Sequence, residues 1–217
     1  MQSARDAILG KVREALGRRA GASPAPIPAT ARTAARTAGA PEAEIEQLLA
    51  EVRKLSGQAQ RLPDRDALAA ALAELVRVEA VKRATLWSTP DLDAWNVAGT
   101  LRALGVKIVS PLAGKRAVAE CELGVTGVDC ALSETGTLVL RSDRERPRVV
   151  SLLPRVHLAL LTPQALRSDL HQVFAEIRNT SYAVLVTGPS RTADIELTLT
   201  LGVHGPKALY VWMLDAA

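Results

Sequence analysis

Aromatic side chains are nearly absent. They make up 3% of the 217 residues, with one Phe, two Tyr and three Trp. The core therefore has to be built from Leu, Val, Ile and Ala. Cysteine is scarcer: Cys121 and Cys130 stand alone, with eight residues between them. Such a pair forms neither a disulfide framework nor a spaced set of metal ligands. An iron–sulfur cluster takes four cysteines, so none is expected on this chain. His157, His171 and His204 are too scattered for a metal site. No apolar run approaches the roughly 18 residues of a membrane span. The charged first turns hold no signal-peptide core, so the expected location is cytoplasmic. A dinucleotide fingerprint is missing too. The turn that would carry it, Gly188-Pro189-Ser190-Arg191-Thr192-Ala193, has a single glycine.

What is present suffices for one domain with a sizeable core and an appendage. Hydrophobic residues account for 48% of the chain, which is ordinary. The net charge of +4 is unevenly spread: residues 1–41 hold seven Lys/Arg against two Asp/Glu, and residues 42–217 hold twenty against twenty-one. The body is near neutral and the arm carries the excess. That charge is sparse and has no interleaved aromatics, so nucleic-acid binding is not expected.

Ala4, Ile8, Val12, Ala15 and Leu16 recur at helical spacing, which predicts a short amphipathic arm helix over residues 1–18. Residues 19–41 are rich in Pro, Ala, Thr and Gly and lose all apolar period, which predicts a flexible linker. From residue 42 to 217 the pattern is α/β. One helix starts at Pro41-Glu42 and carries Ile45, Leu48, Leu49, Val52 and Leu55. A second starts near Asp64 and buries Leu68, Leu72, Leu75 and Val76. Strands are predicted at Arg83–Trp87 and Val106–Val109, with a helix between them begun by Asp91 and ended by Gly105. This alternation implies a mostly parallel sheet with helices on both faces. Further along, residues 113–123 read as a helix and Gly124–Gly127 as a turn. Val128–Leu132 and Thr137–Leu140 read as strands, Arg141–Arg148 as a loop and Val156–Leu161 as a strand. A helix is expected from Pro163 to about Ile177.

The densest group of unusual residues lies between Thr187 and Pro206. Tyr182–Val186 reads as a buried strand. A helix is expected over Ala193–Leu201, from the pairs Ile195/Leu199 and Leu197/Leu201, with Gly202 as its stop. Ala208–Met213 reads as another strand. Gly188, Ser190 and Thr192 at the helix start fit an anion cradle, with Arg191 as the counter-charge. The competing reading is purely structural: Ser190 or Thr192 caps the helix and Asp194 complements its dipole. Asp194 and Glu196 also bring negative charge close to that cradle. His204, held between Gly202 and Gly205-Pro206, is the histidine that suits a site. His157 sits in an apolar strand and reads as a satisfied core residue.

Ser133-Glu134-Thr135-Gly136-Thr137 forms a second group. Gly136 permits an unusual backbone there. Glu134 is either a solvated hairpin tip or a carboxylate able to act as base or nucleophile.

Together, ALSETGTLVL (131–140), SLLPRVHLALL (151–161), TGPSRTADIE (187–196) and GVHGP (202–206) resemble the lactate-utilisation protein C family. The four segments occur in the family's order, and the resemblance spans residues 42–217. It implies the fold called NagB/RpiA/CoA-transferase-like. It also implies a part in oxidising L-lactate to pyruvate, with two iron–sulfur proteins as partners and the clusters in those subunits. CoA transferases of that fold use a Glu nucleophile beside a small polar residue and a Gly, which lends Glu134 a catalytic reading. Sugar-phosphate isomerases of the fold bind anions at glycine-rich turns. The expected site therefore gathers Glu134 and His204 as catalytic groups. Thr135, Gly136, Thr137, Gly188, Ser190, Arg191, Thr192, Asp194, Glu196 and Gly205 are expected around a small anionic ligand. Two functions compete: an accessory, ligand-binding subunit, and a self-sufficient enzyme acting on a nucleotide, CoA ester or sugar phosphate.

Overall fold

The computed structural model describes residues 4–17, 36–193, 199–202 and 204–215. The chain divides into two compact units, Met1–Ala34 and Ala35–Ala217. In the first, helix α1 (Ala4–Ala15) has no buried residue. Its stripe residues Ile8, Val12 and Leu16 are exposed. The second unit begins at Ala35, earlier than the boundary expected at residue 42.

That second unit runs α2 (Pro41–Lys54), β1 (Gln58–Leu62), α3 (Arg65–Val78), β2 (Arg83–Leu86), α4 (Pro90–Ala94), α5 (Val97–Ala103), β3 (Lys107–Val109), α6 (Lys115–Ala119), β4 (Leu123–Gly127), β5 (Cys130–Leu132), β6 (Thr137–Arg141), α7 (Val149–Leu152), β7 (Val156–Leu161), a 3-10 turn (Pro163–Ala165), β8 (Leu166–Arg167), α8 (Leu170–Ile177), β9 (Ala183–Val186), β10 (Arg191–Ala193), β11 (Leu199–Leu201) and β12 (Ala208–Leu214). Six strands form a parallel sheet in the order β1-β12-β7-β4-β2-β3. A smaller sheet is ordered β8-β5-β6-β9, with β5, β6 and β9 antiparallel. β10 and β11 make an antiparallel pair.

Strand alternation sorts the core. Tyr210, Trp212 and Leu214 of β12 join Leu158 and Leu160 of β7 against Leu68, Leu72 and Leu75 of α3 and Leu101 of α5. The intervening Leu209, Val211 and Met213 join Ile45, Leu48, Leu49 and Val52 of α2, together with Ala131 and Leu138 of the smaller sheet. One face of the parallel sheet is thus covered by helices. The other is covered by α2 together with the second sheet, so helices lie on both faces as expected.

Helix starts follow local chemistry. Asp64 caps α3 by accepting from the Ala67 N–H at 2.8 Å. Pro41 opens α2, with Glu42 and Glu44 in its first turn and Arg53 and Lys54 in its last. Thr89, rather than Asp91, caps α4. The helix expected beyond it is broken at Asn96, whose φ is 53°, so α5 starts afresh.

Three expectations are corrected, and one strand is added. Gly124–Gly127 is not a turn but the buried strand β4. Gly124 is there because a Cβ would sit 2.0 Å from the Val150 carbonyl oxygen of α7. The polar segment Gln58–Leu62 is a strand, β1, at the sheet's edge. Pro163–Ile177 is interrupted by β8, and Asp169 starts α8 by accepting from Gln172 N–H. Finally, Ala193–Leu201 does not begin and end as a helix: Arg191–Ala193 and Leu199–Leu201 pair as strands. Leu197, Leu199 and Leu201 alternate with Thr198 and Thr200. Those leucines fit a period of two as well as the i,i+4 spacing. Residues 194–198, including Ile195, lie outside the described residues.

Candidate functional site

Three turns meet because of how the smaller sheet is paired. β6 and β9 run antiparallel with Leu138 opposite Val186, so the start of β6 faces the end of β9. Thr137 Oγ1 lies 2.9 Å from Thr187 Oγ1 and 2.7 Å from Thr135 Oγ1. This line of hydroxyls joins the 133–136 hairpin to the turn after β9. That turn also grips the segment leading into β12. Ser190 N–H donates to the Pro206 carbonyl at 3.0 Å, and Gly202 N–H donates to the Ser190 carbonyl at 2.9 Å. Gly205 packs close to that turn: a Cβ there would stand 3.1 Å from Ser190 Cβ.

Both turns rest on the end of α2. Gly136 has φ +65°, and a Cβ there would lie 2.8 Å from the Val52 nitrogen. Gly188 has φ +89°, and its Cβ would lie 3.1 Å from the Leu55 carbonyl oxygen. Only glycine combines that backbone with so close an approach. Arg191 continues the contact: its Nη2 donates to the Leu55 carbonyl and to Ser56 Oγ.

A cavity of about 210 Å³ lies between the 187–190 and 204–206 turns, with Ser151, His157, Val184, Val186 and Leu209 among its walls. Of the residues expected at a site, Gly188, Ser190, His204 and Gly205 line it. Thr135 and Thr137 reach it through the hydroxyl line ending at Thr187, which lines it, and Gly136 lies between them in sequence. Glu134 is exposed at the hairpin tip and does not line it. Its carboxylate instead helps to raise the pKa of Arg36. Arg191 is exposed and occupied with α2. Thr192 pairs with Thr200 in the β10–β11 ladder. Asp194 and Glu196 lie outside the described residues.

His157 is the cavity residue that sequence reasoning set aside. It is 1% exposed and hydrogen-bonds Thr126 Oγ1 through Nε2 at 2.9 Å, so the satisfied-core reading is correct as far as it goes. Burial lowers its pKa to about 4, leaving a neutral imidazole that offers hydrogen bonding rather than charge. Its signal was its position one residue into a strand preceded by Ser151 and Pro154.

The position of this cavity departs from the rule for open sheets. His157 is the second residue of β7 and pairs with Leu209, the second of β12. The cavity therefore sits at the strands' amino ends, because β9 belongs to the smaller sheet and not to the parallel one. The carboxyl ends carry a different cleft. β2 connects onward to β3 on one side and β4 to β7 on the other, which makes their ends a switch point of the kind that houses ligands. A cleft of about 410 Å³ lies there, lined by Trp87, Thr89, Gly127 and Asp129 together with Asp91, Asp143, Glu145 and Arg146. Asp129 takes Arg141 Nε at 2.8 Å and Arg146 Nη1 at 3.1 Å. Four carboxylates face one guanidinium in this lining, which repels a small anion. Sequence reading missed this cleft, although Trp87-Ser88-Thr89-Pro90 marked a strand end running into a helix.

Cys121 and Cys130 are both buried, and burial pushes the thiols up, Cys130 to about 11. Among the described residues no helix is long and apolar enough to cross a membrane.

A family model described as the LUD domain matches residues 45–214. Lactate utilization protein C of Halalkalibacterium halodurans is 32% identical over 162 residues, covering 69% of this chain and 70% of that protein. The protein of the same name from Shouchella clausii is 32% identical over 159 residues, covering 68% and 69%. Among solved structures, a DUF162 family protein from Deinococcus radiodurans aligns with a TM-score of 0.59 at 16% identity, over 82% of this chain and 100% of that one. That last likeness is one of fold.

Proposed function

Because the chain belongs to the LUD-domain family, we propose that it serves lactate utilisation as a substrate-handling subunit, with redox chemistry supplied by iron–sulfur partners. The observation that carries this reading is the match, over two thirds of the chain, to relatives named lactate utilization protein C. Oxidising a 2-hydroxy acid needs an acceptor for two electrons. A cluster takes four cysteines and this chain has two, so this reading assigns the acceptor to partners. The amino-end cavity is the favoured site for the acid. Its 210 Å³ leaves room for a three-carbon acid, and Ser190, His204 and the neutral His157 offer hydrogen bonds to a carboxylate or hydroxyl. The cleft at the carboxyl ends is too acidic for that ligand. Its place at the switch point is the one feature in favour of the second reading, an enzyme acting on a nucleotide, CoA ester or sugar phosphate, whose anionic groups the same carboxylates disfavour.

Calorimetry on the purified full chain tests this. L-lactate or pyruvate is expected to bind, with affinity falling at least several-fold in Ser190→Ala and His204→Ala while their melting temperatures stay within about 2 °C of wild type. Binding of CoA, ATP or a sugar phosphate in place of both acids transfers the function to the second reading.

A further inference from the structure

Arg36 does more than pair with a carboxylate. Its guanidinium forms a fork on Glu44, Nη1 to Oε2 at 2.9 Å and Nη2 to Oε1 at 2.8 Å. Nη2 also donates to Gln47 Oε1 at 2.8 Å and Nη1 to the Ser168 carbonyl at 3.1 Å. The main chain of Arg36 is read too: its N–H donates to Asp169 Oδ2 at 2.8 Å, and its carbonyl accepts from Ser168 Oγ at 3.3 Å. These partners come from α2, from the residues after β8 and from the N-cap of α8. With Arg36 in place they are buried: Glu44 is 6% exposed, Asp169 5% and Ser168 4%. Two carboxylates gathered so deep are costly unless a cation completes them. The acceptors are spaced for a planar fork, which an ammonium cannot match.

We propose that this pocket is a guanidinium-binding site, filled in cis by Arg36 and able to take an alkylguanidinium, such as an arginine side chain, from elsewhere. The sequence supplies a second copy of the bound string: Ala31-Arg32-Thr33-Ala34 repeats as Ala35-Arg36-Thr37-Ala38. The occupant matters for the hairpin. Ser133 Oγ donates to Glu44 Oε2, and Arg36 Nη1 lies 3.4 Å from the same hydroxyl. The strap at residues 36–39 therefore holds the start of the segment that carries Glu134.

The test uses the full chain with Arg32→Ala and Arg36→Ala together, so that the neighbouring copy of the motif cannot fill the vacancy. Melting temperature is followed with ethylguanidinium chloride up to about 20 mM, against ethylammonium chloride at equal ionic strength. The double variant is expected to melt several degrees below wild type. Ethylguanidinium should restore about half of that loss and ethylammonium little, while wild type, its site filled, moves by less than about 1 °C. Equal recovery with both cations, no recovery, or a double variant that melts with wild type overturns the proposal. If the double variant does not fold unaided, the readout becomes refolding yield by circular dichroism. Recovery in ethylguanidinium alone is then expected, and recovery in neither cation overturns the proposal.

Discussion

The two sheets of this protein spend their strands differently. Every residue of β7 is buried, as is all of β12 after its first residue. β9, at the edge of the smaller sheet, has no buried residue, and Leu185 is 43% exposed. The large sheet is covered on both faces and its central strands β7 and β12 read as apolar runs. The small one is closed at β5 and β6 and left open at β9, where the cavity forms. Rigidity and access are thus assigned to different sheets, with His157 on the boundary between them.

Crowding the large sheet should have the largest effect. Gly124→Ala places a methyl against the α7 backbone, which cannot rotate away as a side chain would. The expected cost exceeds about 3 kcal/mol, or no cooperative transition is seen in urea. Gly127→Ala, three residues on in the same strand, meets only Thr89 Oγ1 at 3.8 Å and should cost about 1 kcal/mol or less. Equal losses at the two positions would sink the packing account of β4.

Acid should separate the boundary histidine from the strap. His157 has its folded pKa lowered to about 4 from 6.5, so the unfolded chain binds its proton first. Its contribution is complete above pH 6.5 and is lost as the pH falls toward 4. Glu44 is held at about 2, against 4.5, chiefly by its hydrogen bond from Arg36 and further by those from Ser133 and Gly39. Its contribution is complete above pH 4.5 and is lost between there and 2. Each step is worth on the order of 1–3 kcal/mol. Urea midpoints measured against pH should lose the upper step in His157→Gln and the lower one in Glu44→Gln. A single step surviving unchanged in both variants would refute these assignments.

Leu185→Ala should have the smallest effect, under about 1 kcal/mol, because the side chain is already partly in water. A loss matching that of a core leucine would mean that β9 is covered in solution.

The legible parts of the fold were those where one physical rule acted alone. Leu68, Leu72 and Leu75 give α3 by spacing, and Asp64 gives its start. The apolar runs at 156–161 and 208–213 give the central strands. The illegible parts were those where a distant element set the choice. Gly124 reads as a breaker until α7 is known to cross it. Gln58–Leu62 lacks an apolar run because an edge strand need bury little. The meeting of the 133–137 and 187–190 turns was legible as an expectation from their residue types. The occupation of Arg191 by α2 was not, since Leu55 and Ser56 carry no mark of it. His157 was legible as a core histidine and illegible as a wall, because a wall is defined by Ser190 and Pro206 from another part of the chain.

Gly136, Gly188 and Arg191 all bear on residues 51–56, the end of α2 and the two residues after it, and Arg36 holds the same helix at its first turn. This sets limits on how the gene can drift. Substitutions on the outer side of α2 change nothing that these four positions touch. A one-codon insertion or deletion near Lys54 would turn the helix end by about 100° relative to its start. The Gly188 seat and the Arg191 contact, which rest on Leu55 and Ser56, would be lost together, although no residue near the cavity had changed. Length, more than identity, is what selection has to guard in this helix.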